Sequence, residues 1–123
     1  MRVLLDTHVL LWALLDDSRL SGAHRAVIED PAVPIFVSAA SVWEVGIKRA
    51  IGKLDVPETL FDVAARAGCR PLPIYWTHAA AAAALPRHHN DPFDRMLVAQ
   101  ARAEGLSLAS MDRAMDAYEV ERV

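Results

Sequence analysis

Two short, unbroken apolar runs, Val3-Leu4-Leu5 and Ile35-Phe36-Val37, constrain this chain more than any other feature. An apolar run without polar alternation marks a strand buried on both faces, and such strands occur where helices cover a parallel sheet from both sides. The intervening residues supply helices of about a dozen residues with their own stop and start signals. Asp6 ends the first run, Thr7 is placed to cap a helix over His8 to Leu15, and Asp16-Asp17-Ser18 closes it. Ser21 opens a second helix through Val27 and Ile28, which Pro31 ends. After the second apolar run, Ser38 or Ser41 starts a helix to about Ile51, stopped by Gly52.

The second half repeats this alternation. Pro57 sits at the first turn of a helix that closes at Gly68, and Pro71 to Ile74 fits an edge strand, where proline is tolerated. Thr77 is placed to cap the alanine run Ala79 to Ala84, a strong helix former. Asp91-Pro92-Phe93-Asp94 is a helix start with a capping acid, proline at the first position and a second acid in the first turn, and Gly105 stops that helix after Glu104. Leu106 to Ala109 and Tyr118 to Val120 fit late strands. Strands alternating with helices predict an α/β fold with a parallel sheet covered on both faces, and 123 residues without repeat or linker fit one domain, residues 1–123.

Composition narrows the classes of function. Sixteen acids against thirteen bases leave a net charge of −3, which excludes a protein whose main task is to coat nucleic acid. The apolar runs fall short of the ~20 residues that span a bilayer. Asp6 interrupts the apolar stretch that a signal peptide needs, and the single Cys69 cannot form an internal disulfide; both predict a reducing, cytoplasmic setting.

The acids fall in informative places. Ligands of open parallel sheets bind beyond the carboxyl ends of the strands. Asp6 follows the first strand and Asp112 follows the late strand ending near Ala109, so both stand at that edge. At about 100° per residue from Ala40, Trp43, Ile47 and Ile51 form an apolar stripe with Glu44 at its margin. Counted from Phe93, Asp94 falls at about 100°, among Leu97, Ala101 and Val98 on the inward face. A carboxylate on a core-facing stripe costs several kcal/mol unless it is paired or metal-bound. Each acid also has an ordinary structural reading. Asp6 can cap a helix, Asp94 can complement a helix dipole, Glu44 can pair with Lys48, and Asp112 can shape a turn. Taken together, Asp6, Glu44, Asp94 and Asp112 form a candidate cluster of oxygen ligands without cysteine, suited to Mg²⁺ or Mn²⁺ and to metal-assisted phosphodiester hydrolysis.

Four segments, Leu4-Leu5-Asp6-Thr7-His8, Ser41-Val42-Trp43-Glu44, Asp91-Pro92-Phe93-Asp94-Arg95 and Ser110-Met111-Asp112, resemble the PIN-domain nucleases, and within them VapC-type toxins of toxin–antitoxin pairs. The resemblance runs from Val3 to about Val120. It implies a three-layer α/β/α sandwich with a central, mainly parallel sheet and a Mg²⁺- or Mn²⁺-dependent endoribonuclease. Matched position by position, it implies Asp6, Glu44, Asp94 and Asp112 as catalytic and metal-holding acids. Thr7 and Ser110 match supporting hydroxyls, and Asp91 is a capping residue first. An RNA substrate, a VapB-type antitoxin and a homodimer are the implied partners. Met115 departs from the pattern, standing where an aromatic residue is expected before Tyr118.

Other residues are weighed beside the acids. Adjacent histidines point apart, so His88-His89 is a weak metal pair, and one of them, or Arg87, Arg95 or Arg113, better suits phosphate contact. Arg95 and Arg113 fit solvated charges equally well. Trp12, Trp43 and Trp76 are read as core or dimer-interface aromatics, and Cys69 as an inert buried thiol. A signalling receiver domain also gathers acids around Mg²⁺, but it requires an Asp after a middle strand and a lysine after a late one. Here Ser38 follows Ile35-Phe36-Val37, and Lys48 and Lys53 are the only lysines. A non-catalytic binding partner of the same fold would not require the acids to be intact.

Overall fold

The computed structural model describes residues 1–123. The first apolar run is strand β1 (Val3–Leu5), and the second is β2 (Ile35–Ser38). They join β3 (Arg70–Leu72) and β4 (Ser107–Ala109) in one four-stranded sheet of order β3-β2-β1-β4, every neighbouring pair parallel. The chain builds outward from β1 to β3 on one side and then returns to lay β4 on the other. The order therefore reverses between β1 and β4, which opens a crevice beyond their carboxyl ends. The Asp6 amide donates to the Ala109 carbonyl at 3.0 Å, tying those two ends together.

Side chains that alternate along β1 divide the core into two layers. Leu4 faces Leu97, Leu108 and Met115, whereas Val3 and Leu5 face Val9, Leu10, Ile35 and Val37. The second layer rests on α1 (Thr7–Leu14), α2 (Gly22–Glu29) and α4 (Leu60–Arg66). The first rests on α5 (Trp76–Ala84) and α6 (Pro92–Glu104), with α3 (Ala39–Ala50) joining through Ala40. The result is the expected three-layer sandwich. Leu4, Leu97 and Leu108 have no exposed surface, so truncating any one to alanine costs about 2–5 kcal/mol.

Start and stop chemistry follows the sequence at most ends. Ser21 and Ser38 cap α2 and α3 through their hydroxyls. Asp91 caps α6 with Pro92 at its first position, and Gly105 ends that helix in the left-handed region at φ 66°. Pro71 lies on β3, the edge strand, as its missing amide requires.

Several expectations are corrected or refined. Asp6 caps α1, as its ordinary reading has it, and Thr7 does not, since the Asp6 carboxylate reaches the Val9 amide. Tyr75 rather than Thr77 precedes α5, where its amide donates to His78 Nδ1 at 3.1 Å. Residues 118–120 form no strand. A 3₁₀ turn, Arg113–Ala117, precedes them, and only an isolated bridge joins Arg122 to Leu108. Met115 is fully buried in the first core layer, so the departure from an aromatic still supplies an apolar core side chain there. Lastly, the stripe Trp43, Ile47 and Ile51 points outward, with Trp43 65% exposed, while Ala40, Ser41, Glu44 and Val45 face inward. Trp12 packs at the margin of the second layer and Trp76 is exposed, so none of the tryptophans is a core residue. Cys69 is half-buried, and burial pushes its thiol pKa up, as an inert residue requires.

Candidate active site

The crevice beyond β1 and β4 collects the acids. Asp6, the residue after β1, is almost fully buried. One carboxylate oxygen accepts from the Val9 amide at 2.8 Å, and the Ser110 hydroxyl donates to the same carboxylate. Ser110 also accepts the Asp112 amide at 3.1 Å, which joins the residue after β4 to the next acid. Burial raises the Asp6 pKa, and these two hydrogen bonds act against it.

Glu44 enters from α3 and is 2% exposed. The Thr7 hydroxyl donates to its Oε1 at 2.7 Å and lies 3.0 Å from Ser41 Oγ. Lys48, one turn further along α3, donates to its Oε2 at 2.5 Å. The ordinary reading of Glu44 as a lysine partner is therefore correct, and it coexists with inward burial beside the crevice.

Asp94 lies in the first turn of α6 with no backbone hydrogen bond to its carboxylate. Its pKa is pushed up to about 7, first by burial and then by the charge of Asp91; His89 lowers it, and Asp6 and Glu44 raise it further. Those influences show that the acids from three elements share one electrostatic neighbourhood. Asp91 itself uses Oδ1 to accept the amides of Phe93 and Asp94, the capping role expected of it. Asp112 divides its oxygens: Oδ1 caps the Ala114 amide at 2.9 Å, and Oδ2 turns toward the crevice.

The residue that sequence reasoning underrated is His89. Its Nε2 lies 2.8 Å from Asp94 Oδ2 and 3.2 Å from Asp112 Oδ2, so the imidazole bridges two of the four acids. The signal lay in its position five residues before Asp94, on the segment between α5 and α6. Its neighbour His88 packs against the Tyr118 ring instead, so the two histidines do point apart. Arg95 is not a solvated charge. It donates to the carbonyls of Ala82, Leu85 and Pro86 and holds the end of α5 against α6. Arg87 and Arg113 are exposed.

A divalent cation fits this donor set. One atom each from His89, Asp94 and Asp112 lie within 4.8 Å of one another, and Asp6 is near enough for its charge to act on Asp94. An acid raised by neighbouring negative charge is a group that a cation relieves. Carboxylate oxygens of this kind suit a hard divalent cation.

A parallel sheet with carboxylates gathered at its switch point defines the class: an α/β/α protein with an acidic crevice at the position where open sheets bind ligands. The chain belongs to the PIN domain family, whose model matches residues 3–121. It is similar to Ribonuclease VapC16 of Mycobacterium tuberculosis (strain ATCC 25618 / H37Rv), 38% identical over 60 residues. That alignment covers 46% of this chain and 43% of the relative, so the match spans less than half of that protein's length. Among solved structures it resembles VapBC2 from Rickettsia felis, bound to a DNA fragment from its promoter. The TM-score is 0.71 at 11% identity, over 99% of this chain and 96% of that one. FitAcB from Neisseria gonorrhoeae gives a TM-score of 0.62 at 22% identity, over 98% and 95% of the two chains. At these identities the likeness is one of fold.

Proposed function

We propose that the protein is a divalent-metal-dependent endoribonuclease that hydrolyses RNA phosphodiester bonds and acts as the toxin of a toxin–antitoxin pair. The observation that carries this reading is the meeting of Asp6, Glu44, Asp94 and Asp112, drawn from four separate segments, in one crevice at the sheet's switch point. Its similarity to a ribonuclease of the same family supports the choice of RNA. The structural likeness to a VapBC complex supports an antitoxin partner.

In this reading Asp6, Asp94 and Asp112 hold the cation, with His89 beside them and Glu44 acting directly or through solvent. When bound, Mg²⁺ or Mn²⁺ supplies positive charge that neutralises the phosphodiester and acidifies an attacking water. Asp94 accepts no capping amide, so its oxygens are free for the cation, whose charge would relieve the burial and neighbouring negative charge that raise its pKa. Asp6 and Asp112 are fixed by the backbone amides they cap, so their remaining oxygens need little reorganisation. Thr7 and Lys48 orient Glu44 from opposite oxygens. Setting the four acids aside, the sixteen acids become twelve against thirteen bases, so the rest of the chain does not repel an RNA strand.

Free of antitoxin, such an enzyme inhibits translation and growth by cutting RNA. No helix is long and apolar enough to cross a membrane. The outward stripe of α3, Trp43, Ile47 and Ile51, supports a homodimer, since an exposed apolar face of this kind marks an interaction surface. The function is tested by incubating the purified protein with a mixed RNA pool in Mg²⁺, in Mn²⁺ and in chelator. Endonucleolytic products that need the metal are expected, and their absence refutes the assignment.

A further inference from the structure

Beside the acid crevice lies a second concavity of opposite character. It encloses about 350 Å³ and is lined by Thr7, His8, Leu11, Lys48, Lys53 and Leu54. The chain has only two lysines, and both line this one cleft. Their convergence is built by the backbone. Beyond α3, Gly52 adopts φ 76°, and the amides of Lys53 and Leu54 both donate to the Lys48 carbonyl, at 2.8 and 3.2 Å. That reversal returns Lys53 to the side of α3 from which Lys48 projects. His8 completes the wall from α1, its ring resting on Trp12 with centroids 5.8 Å apart.

One charge in the cleft is not spent internally. Lys48 is paired with Glu44, but the Lys53 ammonium has no ion pair or hydrogen bond to the protein, and His8 is exposed. Thr7 belongs to both places: it lines the cleft and donates to Glu44. An anion in the cleft would therefore lie one side chain away from the acids.

We propose that the cleft walled by His8, Lys48 and Lys53 is a phosphate-binding subsite that holds an RNA backbone phosphate neighbouring the one to be cut. This rests on the reading of the acid crevice as a ribonuclease site. Cationic walls repel a divalent ion and attract a phosphodiester, so the two concavities divide the strand between them: acids and metal at the scissile phosphate, lysines at its neighbour. A bound neighbour fixes the register of the strand across the crevice.

Lys53→Gln tests this, because Lys53 is exposed and holds no structural contact. Binding of a fluorescent single-stranded RNA is measured by anisotropy against salt, on an Asp94→Asn background that prevents cleavage, with and without Lys53→Gln. His8→Asn serves as a second variant. The subsite predicts affinity weaker by on the order of fivefold at low salt, and a slope of log K against log salt shallower by about 0.7, the value for one lost single-strand phosphate contact. Free inorganic phosphate should compete with the parent more strongly than with the variant. Equal affinity and equal slope in parent and variants would overturn the subsite while leaving the ribonuclease reading intact. A wild-type protein that neither binds nor cuts RNA would remove both.

Discussion

His89 Nε2 stands 2.8 Å from Asp94 Oδ2 and so places a ring nitrogen against the most perturbed carboxylate of the crevice. The same nitrogen lies 3.2 Å from Asp112, so in the ion-free protein the imidazole links two acids that otherwise repel one another. His89→Ala is expected to lower the stability in chelator by on the order of 1 kcal/mol, seen as a lower melting temperature, and to lose less in excess Mn²⁺. Calorimetry of both states checks this. An equal loss with and without metal would show that His89 supports the fold elsewhere.

The raised Asp94 pKa has a defined pH signature. An acid whose folded pKa, about 7, exceeds its ordinary value of 3.8 holds its proton more tightly when folded. The metal-free protein should therefore lose stability as pH rises from about 4 through about 7. Asp94→Asn removes this contribution. Its melting temperature should vary less across that window and exceed wild type above neutrality by a few degrees, on the order of 1–2 kcal/mol given the partial solvation of the site. Parallel pH profiles for the two proteins would assign the dependence to other groups.

Gln100 tests the scaffold apart from the chemistry. It is fully buried, accepts from the Ser38 hydroxyl and donates to the Pro73 carbonyl at 3.1 Å, joining α6 to the ends of β2 and β3. Gln100→Ala leaves those partners unpaired and should cost about 2–4 kcal/mol in denaturant unfolding. A loss below about 0.5 kcal/mol would mean that water replaces the amide.

The outward stripe of α3 is expected to pair two copies of the chain. Ile47→Glu places a charge in that face and should shift the protein toward monomer in light scattering, with the fold retained by circular dichroism. An unchanged mass would move the interface elsewhere.

That stripe also shows where periodicity stops being informative. The spacing of Trp43, Ile47 and Ile51 identified the helix and its apolar side, but apolar residues turn toward a partner as readily as toward a core. Glu44 is tolerated on the inward face because Thr7 and Lys48 satisfy both its oxygens, and helical spacing alone does not show the Thr7 partner. Strand-end and capping acids were legible because caps act within a few residues, as Asp91 and Gly105 demonstrate on α6. His89 was not, because its pairing depends on how the segment between α5 and α6 is folded over the crevice. The same limit hid the role of Arg95, whose carbonyl partners lie on another helix.

Asp6→Asn probes the acid crevice most directly. Asparagine keeps the oxygen that caps Val9, so the melting temperature should change by less than about 1 kcal/mol in equivalent stability. Measured beside wild type on the same RNA, metal-dependent cleavage by the folded variant should fall by on the order of a hundredfold or more. A folded Asp6→Asn protein that cuts RNA at the wild-type rate, with the same metal requirement, would contradict the account.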